Sequence, residues 1–327
     1  MSSFGANKRV FNTLKMDEKR GLLTKTSEDN GKLLNELRWY LNLPNELKYL
    51  IPRITNYSDS DSSVSITMEL YGYKALNTLW LEEENRPSKI WDKIFESLNT
   101  ILSDMGKFKT DHTSGLQDKI IDSVLDMYKT KTIERLSKIK DNSEFLSFKD
   151  DVVINGREVW GLDRILEHLD SVCVDTGLFN GRDFNIIHGD LCLSNILYEP
   201  TYGFVRLIDP RGKFGSFYTF GDPYYELAKL SHSFMGNYDF YISDQFMISN
   251  DEHGYELRAM TYPAHQELKS RFMSWLRSQG VELNMIKLIQ SLLFLSMIPL
   301  HSDRPRAQQA FMCQGLSDFY DVIQEIY

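Results

Sequence analysis

The 327-residue sequence predicts an α/β fold in which a small antiparallel sheet precedes a large, mainly helical part. Short alternating segments bounded by turn residues fill residues 1–72, and such segments are typical of strands. From Leu76 onward, apolar residues recur mostly at helical spacing. Within this second part, residues 186–212 place aspartate and asparagine at the ends of short apolar runs. We therefore expect a first domain over residues 1–72 and a second over residues 73–327.

The first domain is predicted to begin with two paired strands and a helix. Residues 8–14 and 22–26 alternate as strands do, and residues 17–21 form a polar turn that ends in glycine. Asn30 can cap the helix that follows. The apolar positions of this helix are Leu33, Leu34, Leu37, Tyr40 and Leu41.

The end of the first domain is predicted to be a loop, a hairpin tip and a strand. Residues 44–58 contain two prolines and are predicted to be a loop. Residues 59–63 are a polar hairpin tip, and residues 64–70 alternate as a strand does.

Helices packed through apolar stripes are predicted for most of the second domain. The stripes lie in residues 91–102, 120–128, 160–166, 264–280, 283–300 and 311–322. We interpret them as core packing rather than as binding surfaces. His112 and His168 are expected to be surface or packing residues rather than ligands.

Composition and charge exclude several classes of protein. The hydrophobic share of 42% and the charged share of 25% are typical of a globular protein. The net charge of −9 argues against a nucleic-acid partner, which would require a basic face. Neither a signal segment nor an apolar run of membrane-spanning length is apparent, so we expect no membrane partner. Three widely spaced cysteines, Cys173, Cys192 and Cys313, predict no disulfide framework and fit a reducing cytoplasm.

The chemistry is predicted to lie in residues 186–212. Two isoleucines lead to His188-Gly189-Asp190, Asn195 follows five residues after the aspartate, and a buried strand over residues 204–208 ends on Asp209. Phosphoryl transfer needs Mg²⁺ held by oxygen ligands and a separate carboxylate that faces the acceptor hydroxyl. Asp190 suits the role of base, and Asn195 and Asp209 suit the metal. The alternative is an ordinary loop, because Asp and Asn are common in turns.

The pattern H-G-D-x4-N followed by a strand ending in I-D resembles the aminoglycoside phosphotransferase and choline kinase group. That resemblance implies a protein-kinase-like fold of two lobes, with a sheet-bearing N-lobe and a helical C-lobe. Gly189 stands where protein kinases have the arginine of H-R-D, and Asp209-Pro210-Arg211-Gly212 replaces D-F-G. The resemblance implies transfer of the γ-phosphate of ATP or GTP to a hydroxyl of a small metabolite. An aspartate at the position of Asp222 supports the catalytic loop in that group, and here it can also cap a helix.

The resemblance also implies residues that bind the nucleotide. Lys25 on the second strand is expected to pair the α- and β-phosphates and Glu36 to support it. Glu28 and Glu46 are alternatives to Glu36, and Lys25 could be a solvated edge lysine.

The remaining nucleotide contacts are predicted at the two ends of the first domain. Backbone groups at Glu69 or Leu70 are expected to bond the nucleobase. The segment around Gly5 and Asn7 could cradle phosphate through its amides. Such lobes normally have one more strand before this segment, so we expect either that the first strand is missing or that this chain was once the tail of a larger one.

Candidate residues for the acceptor are mostly cations and histidines. Arg211 and Lys213 could meet a phosphate or an anionic acceptor, or could simply be solvated in a turn. In kinases of this group the C-terminal helices build the acceptor pocket, which makes His232, His301 and Arg304 candidates. Tyr238 is a further polar candidate there, and each of these residues could equally be structural.

More loosely, the strings L-T-K-T-S, E-L-R-W-Y and I-D-P-R-G resemble phosphotransferase-type domains of bacterial surface-polysaccharide enzymes. The acceptor could then be a sugar of that biosynthesis. Two alternatives stay open, a nucleotide-binding pseudokinase or scaffold without turnover, and a kinase of choline or another amino alcohol. The sequence leaves both ATP and GTP open as donors and predicts no oligomeric state.

Overall fold

The computed structural model describes residues 12–60, 63–111 and 114–327. The described residues form two compact units. The first unit consists of the described residues within 1–83, 87–111 and 183–226. The second unit consists of those within 84–86, 112–182 and 227–327. The predicted lobe boundary between residues 72 and 73 is a different division of the chain and stays a prediction.

Strands and helices alternate along much of the described chain. The strands are β1 (Asn12–Asp17), β2 (Leu22–Ser27), β3 (Ile54–Ser60), β4 (Ser63–Glu69), β5 (Lys74–Ala75), β6 (Val152–Ile154), β7 (Arg157–Val159), β8 (Asn185–Ile186), β9 (Ile196–Glu199), β10 (Phe204–Leu207), β11 (Lys213–Phe214), β12 (Phe217–Tyr218), β13 (Phe220–Gly221), β14 (Phe246–Asp251) and β15 (Gly254–Ala259). The helices are α1 (Asn30–Asn42), α2 (Leu76–Leu81), α3 (Ile90–Gly106), α4 (Leu116–Leu125), α5 (Lys131–Leu136), α6 (Leu162–Asp175), α7 (Pro223–Phe234), α8 (Tyr238–Ile242), α9 (Pro263–Ser278), α10 (Leu283–Met297) and α11 (Pro305–Ile326).

The first unit contains a four-stranded antiparallel sheet in the order β1-β2-β4-β3. Strand β2 is an inner strand, and Lys25 on it lies opposite Leu14 of β1 and Ile66 of β4. Ile66 is fully buried, and Lys25 is only 5% exposed. An inner strand therefore places this lysine against the core of the unit, which excludes the alternative of a solvated edge lysine.

Three short sheets accompany the large one in the first unit, and one of them is the pair β11-β12. Strands β10, β9 and β5 form another, and β13 pairs with β8. The hairpin of β9 and β10 begins directly after Asn195 and ends two residues before Asp209. These small sheets fix the ends of the stretch predicted to carry the chemistry.

The prediction of a loop over residues 44–58 is wrong. Residues Asn45–Leu50 form a short 3₁₀ helix, and β3 begins at Ile54 and ends at Ser60. β3 is an edge strand whose side chains are mostly exposed and polar, so it lacks the alternation that marks a half-buried strand.

The second unit is mainly helical around the antiparallel pair α10 and α11. A side chain at Gly315 of α11 would lie 2.8 Å from Leu295 of α10, so the glycine permits the close approach of the two helices. The sequence did not indicate the sheet β14-β15-β6-β7, which belongs to the same unit. Its strands β6 and β7 are three residues long, too short for an alternating pattern to be recognised.

Residues Leu283–His301 are long and apolar enough to cross a membrane by length and composition. The expectation that no segment reaches that length is therefore wrong. The apolar window is 72% buried inside the protein, and the core helix of a globular protein meets the same criteria. The three cysteines are buried and form no disulfide among the described residues.

Candidate active site

Lys25 is the centre of an ionic cluster in the first unit. Its Nζ lies 2.7 Å from Glu36 Oε2 and 2.7 Å from Asp209 Oδ1. Lys25 lies on β2, Glu36 lies on α1, and Asp209 follows β10. Lys25 and Glu36 are buried, whereas the Asp209 side chain is 41% exposed. Three predicted site residues from separate parts of the chain thus meet, and Glu36 rather than Glu28 or Glu46 pairs with the lysine.

One cation between two carboxylates accounts for the pKa values in this cluster. Burial lowers the pKa of Lys25, but attraction to Glu36 and Asp209 outweighs burial and raises it above the ordinary value. Burial raises the pKa of Glu36 to about 7, and repulsion from Asp209 adds to the effect while Lys25 opposes it. A single ammonium group cannot compensate two negative charges in a desolvated place. Lys25 is therefore protonated at neutral pH, and Glu36 is poised to take up a proton.

His188 joins the predicted base to the predicted metal ligand. Burial lowers the pKa of its imidazole to about 4, so the ring is neutral at pH 7 and carries one N–H. Nε2 donates to the carbonyl oxygen of Ile208 at 2.9 Å, and Nδ1 accepts the backbone N–H of Asp190 at 3.3 Å. Ile208 directly precedes Asp209. One buried ring thus connects the backbones next to both aspartates.

The carboxylate of Glu226 holds the start of the catalytic loop. Oε2 accepts the backbone N–H of His188 at 2.8 Å, and Oε1 accepts that of Gly189 at 2.7 Å. Glu226 is only 1% exposed, so solvent screens these charge-assisted bonds little. Asp222 lies four residues earlier and accepts the N–H of Tyr224 at 2.9 Å, which confirms its predicted capping of α7.

The side chain of Asn195 is turned toward Asp190. Its Nδ2 donates to the backbone oxygen of Asp190 at 2.8 Å and to Asp190 Oδ2 at 3.2 Å. A short 3₁₀ turn over Leu193–Asn195 bends the chain back for this contact. The amide oxygen of Asn195 faces away from Asp190 and lies 3.4 Å from Ser194 Oγ.

The donor set of this site fits a hard divalent cation. Asn195 offers an amide oxygen and Asp209 a partly exposed carboxylate, which are ligands that Mg²⁺ takes. In residues 12–60, 63–111 and 114–327, no group of three or more His, Cys, Asp or Glu side chains could hold a metal ion. Two protein ligands suit Mg²⁺, which completes its shell with water and substrate phosphates. The ligand roles of Asn195 and Asp209 stay predictions.

One face of α1 supports the site at three points. Trp39 and Tyr40 lie three and four residues after Glu36, and residues at these spacings share one face of a helix. Trp39 Nε1 donates to the carbonyl oxygen of Ile187 at 2.6 Å, and Tyr40 Oη accepts the backbone N–H of Asp209 at 3.2 Å. Tyr40 was predicted only as an apolar position of α1. Its spacing of four residues from Glu36 is the signal that could have identified this face.

The predicted nucleobase contacts at Glu69 and Leu70 have backbone donors that are already bonded. The backbone N–H of Glu69 donates to the carbonyl oxygen of Arg53 at 3.0 Å. The backbone N–H of Leu70 donates to the carbonyl oxygen of Gly21 at 2.8 Å. The side chain of Glu69 pairs with Arg53 at 2.9 Å. Any nucleobase contact of these two residues would therefore use their carbonyl groups. Gly5 and Asn7 lie outside the described residues, and all four roles stay predictions.

Arg211 and Lys213 lie in the first unit, close to the catalytic loop. The backbone N–H of Arg211 donates to the carbonyl oxygen of His188 at 2.9 Å. Its Nη1 donates to Tyr225 Oη at 2.9 Å. Lys213 is exposed on β11, with Nζ 5.5 Å from the ring centroid of Tyr218.

His232, His301 and Arg304 lie in the second unit. His232 is buried and stacks on Tyr238 at 4.3 Å between ring centroids. The ring of His301 meets Phe311 edge to face at 5.3 Å. Arg304 donates to a backbone carbonyl group at the end of α8. These contacts belong to aromatic packing and helix ends, and the acceptor roles of the three residues stay predictions.

The fold is protein-kinase-like, with an antiparallel sheet near the N-terminus and a mainly helical C-terminal part. A thermostable mutant of aminoglycoside phosphotransferase APH(4)-Ia in its apo form is similar, with a TM-score of 0.55 and 12% identity over 96% of this chain and 90% of that one. Its ternary complex with ADP and hygromycin B has a TM-score of 0.51 and 13% identity, and covers 93% of this chain and 88% of that one. Plasmodium vivax ethanolamine kinase has a TM-score of 0.49 and 11% identity over 96% and 79% of the two chains. No protein-family model and no curated protein matches the sequence.

Proposed function

We propose that this protein is a Mg²⁺-dependent phosphotransferase that moves the γ-phosphate of ATP to a hydroxyl group of a small molecule. The observation that carries the proposal is the bridge of Lys25 to Glu36 and Asp209, with 2.7 Å to each. A buried lysine held between a helix carboxylate and a partly exposed aspartate is suited to meet polyphosphate charge. An ordinary core has no need for such an arrangement.

Asp190 is the proposed base. It orients the acceptor hydroxyl and takes its proton while the hydroxyl oxygen bonds to the γ-phosphorus and the bond from that phosphorus to ADP breaks. The Asn195 amide restrains its carboxylate through Oδ2 at 3.2 Å. The His188 ring and the Glu226 carboxylate fix the backbone around it.

Lys25 is the proposed partner of the α- and β-phosphates. Its bond to Glu36 keeps the ammonium group in place, and its bond to Asp209 brings it next to the proposed metal site. Asn195 and Asp209 would hold Mg²⁺, which neutralises phosphate charge when bound. Catalysis then depends mainly on positioning and on charge stabilisation.

The solved relatives support an adenine nucleotide as donor. The complexes of APH(4)-Ia hold ADP in one case and AMP-PNP in another, each with hygromycin B. Alanine replaces an aspartate in the first and an asparagine in the second, and the two positions are five apart. Asp190 and Asn195 have the same separation and residue types in this chain. We prefer ATP to GTP because both of these complexes contain an adenine nucleotide.

A sugar of surface-polysaccharide biosynthesis is the finer proposal for the acceptor, and a cytoplasmic location goes with it. The sugar rests on the resemblance of sequence strings given above, and the cytoplasmic location rests on the three widely spaced cysteines. Choline or another amino alcohol is the competing acceptor, and a pseudokinase without turnover is the competing function.

ADP release with Mg²⁺, ATP and a panel of sugars and amino alcohols tests the proposal. We expect turnover in the wild type and a loss of at least about a hundredfold in Asp190→Asn, with nucleotide binding retained. Asp183→Asn is the matched control, because Asp183 is an exposed carboxylate of the same unit paired with Lys109. Turnover by Asp190→Asn at the wild-type rate would refute the assignment of the base.

Thermal unfolding with Mg²⁺ and ATP tests the nucleotide site separately. Ligand at about 100-fold above its dissociation constant should stabilise the protein by roughly 2.7 kcal/mol. We expect the Mg²⁺-dependent part of this stabilisation to vanish in Asp209→Ala. Binding without turnover on any acceptor would favour the pseudokinase.

A further inference from the structure

Arg211 is a cation beside the catalytic loop that has no carboxylate partner among the described residues. Its Nη1 donates to Tyr225 Oη at 2.9 Å, and its Cζ lies 5.8 Å from the centroid of that ring. Tyr225 is buried at the start of α7, so it holds one edge of the guanidinium in place. A guanidinium has five N–H donors, so donors remain for a ligand.

Gly189 provides the space in which Arg211 lies. Gly189 has a φ of +77°, and a Cβ at this position would lie 2.8 Å from Cβ and 3.4 Å from Cδ of Arg211. The stem of the arginine therefore passes directly over the residue before Asp190. Because the Arg211 N–H also donates to the carbonyl oxygen of His188, backbone and side chain are both fixed on the loop.

Two further cations lie near Tyr218 of β12, Lys213 on the segment that follows Arg211 and Arg38 on α1. Lys213 Nζ and Arg38 Cζ lie 5.5 Å and 5.6 Å from the ring centroid of Tyr218. A Cβ on Gly212 would lie 2.1 Å from the carbonyl oxygen of Asn35, so this segment packs tightly on α1. We call Arg211, Lys213 and Arg38 the cationic strip.

The cationic strip belongs to a chain that is acidic overall, and its first member, Arg211, lies directly on the loop that carries Asp190. There are 46 acidic and 37 basic residues, and basic residues of the first unit such as Arg53, Lys74 and Lys107 pair with carboxylates at 2.6–3.0 Å. The strip has no such partner within the described residues. An acidic protein that keeps cations uncompensated next to its catalytic loop attracts a local anion.

We propose that the acceptor carries an anionic group, a carboxylate or a phosphate, and that Arg211 binds this group. Arginine matches the planar, bidentate geometry of both groups, and Lys213 adds a point charge nearby. The anion would fix the acceptor beside the loop so that its hydroxyl faces Asp190. This inference rests on the proposed function, and it opposes a cationic acceptor such as choline, which the guanidinium would repel.

Calorimetric titration tests the inference on protein that is already saturated with Mg²⁺ and AMP-PNP. The probes are inorganic phosphate, malonate and choline, and saturation keeps phosphate out of the nucleotide site. We expect millimolar binding of phosphate, malonate or both, and no binding of choline. The anion that binds distinguishes a phosphorylated acceptor from a carboxylated one.

Variants show whether Arg211 is responsible. Loss of a charge-assisted hydrogen bond should weaken anion binding about tenfold or more in Arg211→Gln. We expect a smaller loss in Arg211→Lys, which keeps the charge without the planar fork, and in the exposed Lys213→Gln. Lys74→Gln is the control, since Lys74 is an exposed cation of the same unit that is paired with Glu82.

The two levels of the proposal fail in different ways. Failure of the protein to bind AMP-PNP with Mg²⁺, measured by calorimetry before the anions are added, would overturn the proposed function itself. Normal AMP-PNP binding with no anion binding, with equal anion binding in Arg211→Gln, or with preferred binding of choline would overturn only the anionic acceptor.

Discussion

Replacement of Lys25 by methionine should destabilise the protein in a way that depends on pH. The change removes the one ammonium group between Glu36 and Asp209 and leaves Glu36 buried. Glu36 Oε1 is already a buried oxygen without a hydrogen-bond partner in the described part of the chain. After the change, neither oxygen of the Glu36 carboxylate would contact the Lys25 ammonium group.

The size of the effect follows from burial. Removal of one partner of a buried ion pair costs about 3–5 kcal/mol. The Asp209 side chain is 41% exposed, so its own bond to Lys25 adds at most about 1 kcal/mol after solvent screening. The midpoint of thermal unfolding of this 327-residue chain should then fall by roughly 4–9 °C at pH 8.5.

The sign of the pH dependence follows from Glu36. Its pKa in the folded protein is already raised to about 7, and loss of Lys25 raises it further. A carboxyl group with a raised pKa contributes stability below its unfolded pKa, and that contribution is lost as pH rises through the folded value. The cost of Lys25→Met should therefore be lower at pH 6 and grow above pH 7, by at most about 2 kcal/mol up to pH 8.5 at about 1.36 kcal/mol per pH unit.

The double variant Lys25→Met/Glu36→Gln is the control, because it removes the buried charge together with its partner. It should recover most of the lost stability and show no growth of the difference with pH. Thermal unfolding followed by circular dichroism at several pH values measures both effects. A cost for Lys25→Met that is the same at pH 6 and pH 8.5 would refute the assignment of the buried charge to Glu36.

Three further predictions concern the loop and the second unit. Glu226→Gln should destabilise the protein by about 1–3 kcal/mol and slow turnover without loss of nucleotide affinity, because an amide nitrogen would face one of two buried N–H donors; denaturation and steady-state kinetics measure this. Gly189→Ala should cost at least about 1–2 kcal/mol in thermal unfolding, since its φ is +77° and its Cβ would meet Arg211, while Gly72→Ala, with open space around it, is a mild control. Burial raises the pKa of Asp239 to about 7, so the contribution of this carboxyl group to stability is lost as pH rises from about 4 to 7. Asp239→Asn should therefore stabilise the protein by a few kcal/mol at pH 8 and have little effect at pH 4. Equal effects of the substitution at both pH values would contradict the burial argument.

The local pattern was sufficient to predict the fold and the central stretch. An apolar strand leading to Asp209 and a loop with Asp190 and Asn195 at fixed spacing are short-range features; the structure has the loop, and its strand ends at Leu207, two residues before Asp209. The meeting of Lys25 with Glu36 was implied by the resemblance, in which a helix glutamate pairs with the strand lysine. The functional roles of these residues stay predictions.

Contacts between distant segments could not be predicted from the sequence. Glu226 looked like an ordinary residue of a helix, because nothing local shows that its carboxylate reaches back to the start of the loop. Trp39 and Tyr40 looked like core for the same reason. Strand β3 was missed because an exposed edge strand with polar side chains carries no hydrophobic periodicity.

The buried imidazole of His188 works as a spacer of fixed length. An aromatic ring cannot stretch, so the carbonyl group before Asp209 and the amide of Asp190 are kept at a set separation. Protonation of Nδ1 would turn this hydrogen-bond acceptor into a donor that faces the backbone N–H of Asp190. The hydrogen bond between the ring and Asp190 would then be lost. The pKa of this ring is about 4, so the loss would occur only in acid. An acid limb of the pH–rate profile in that range would then contain the loss of this spacer in addition to the protonation of any carboxylate that titrates there.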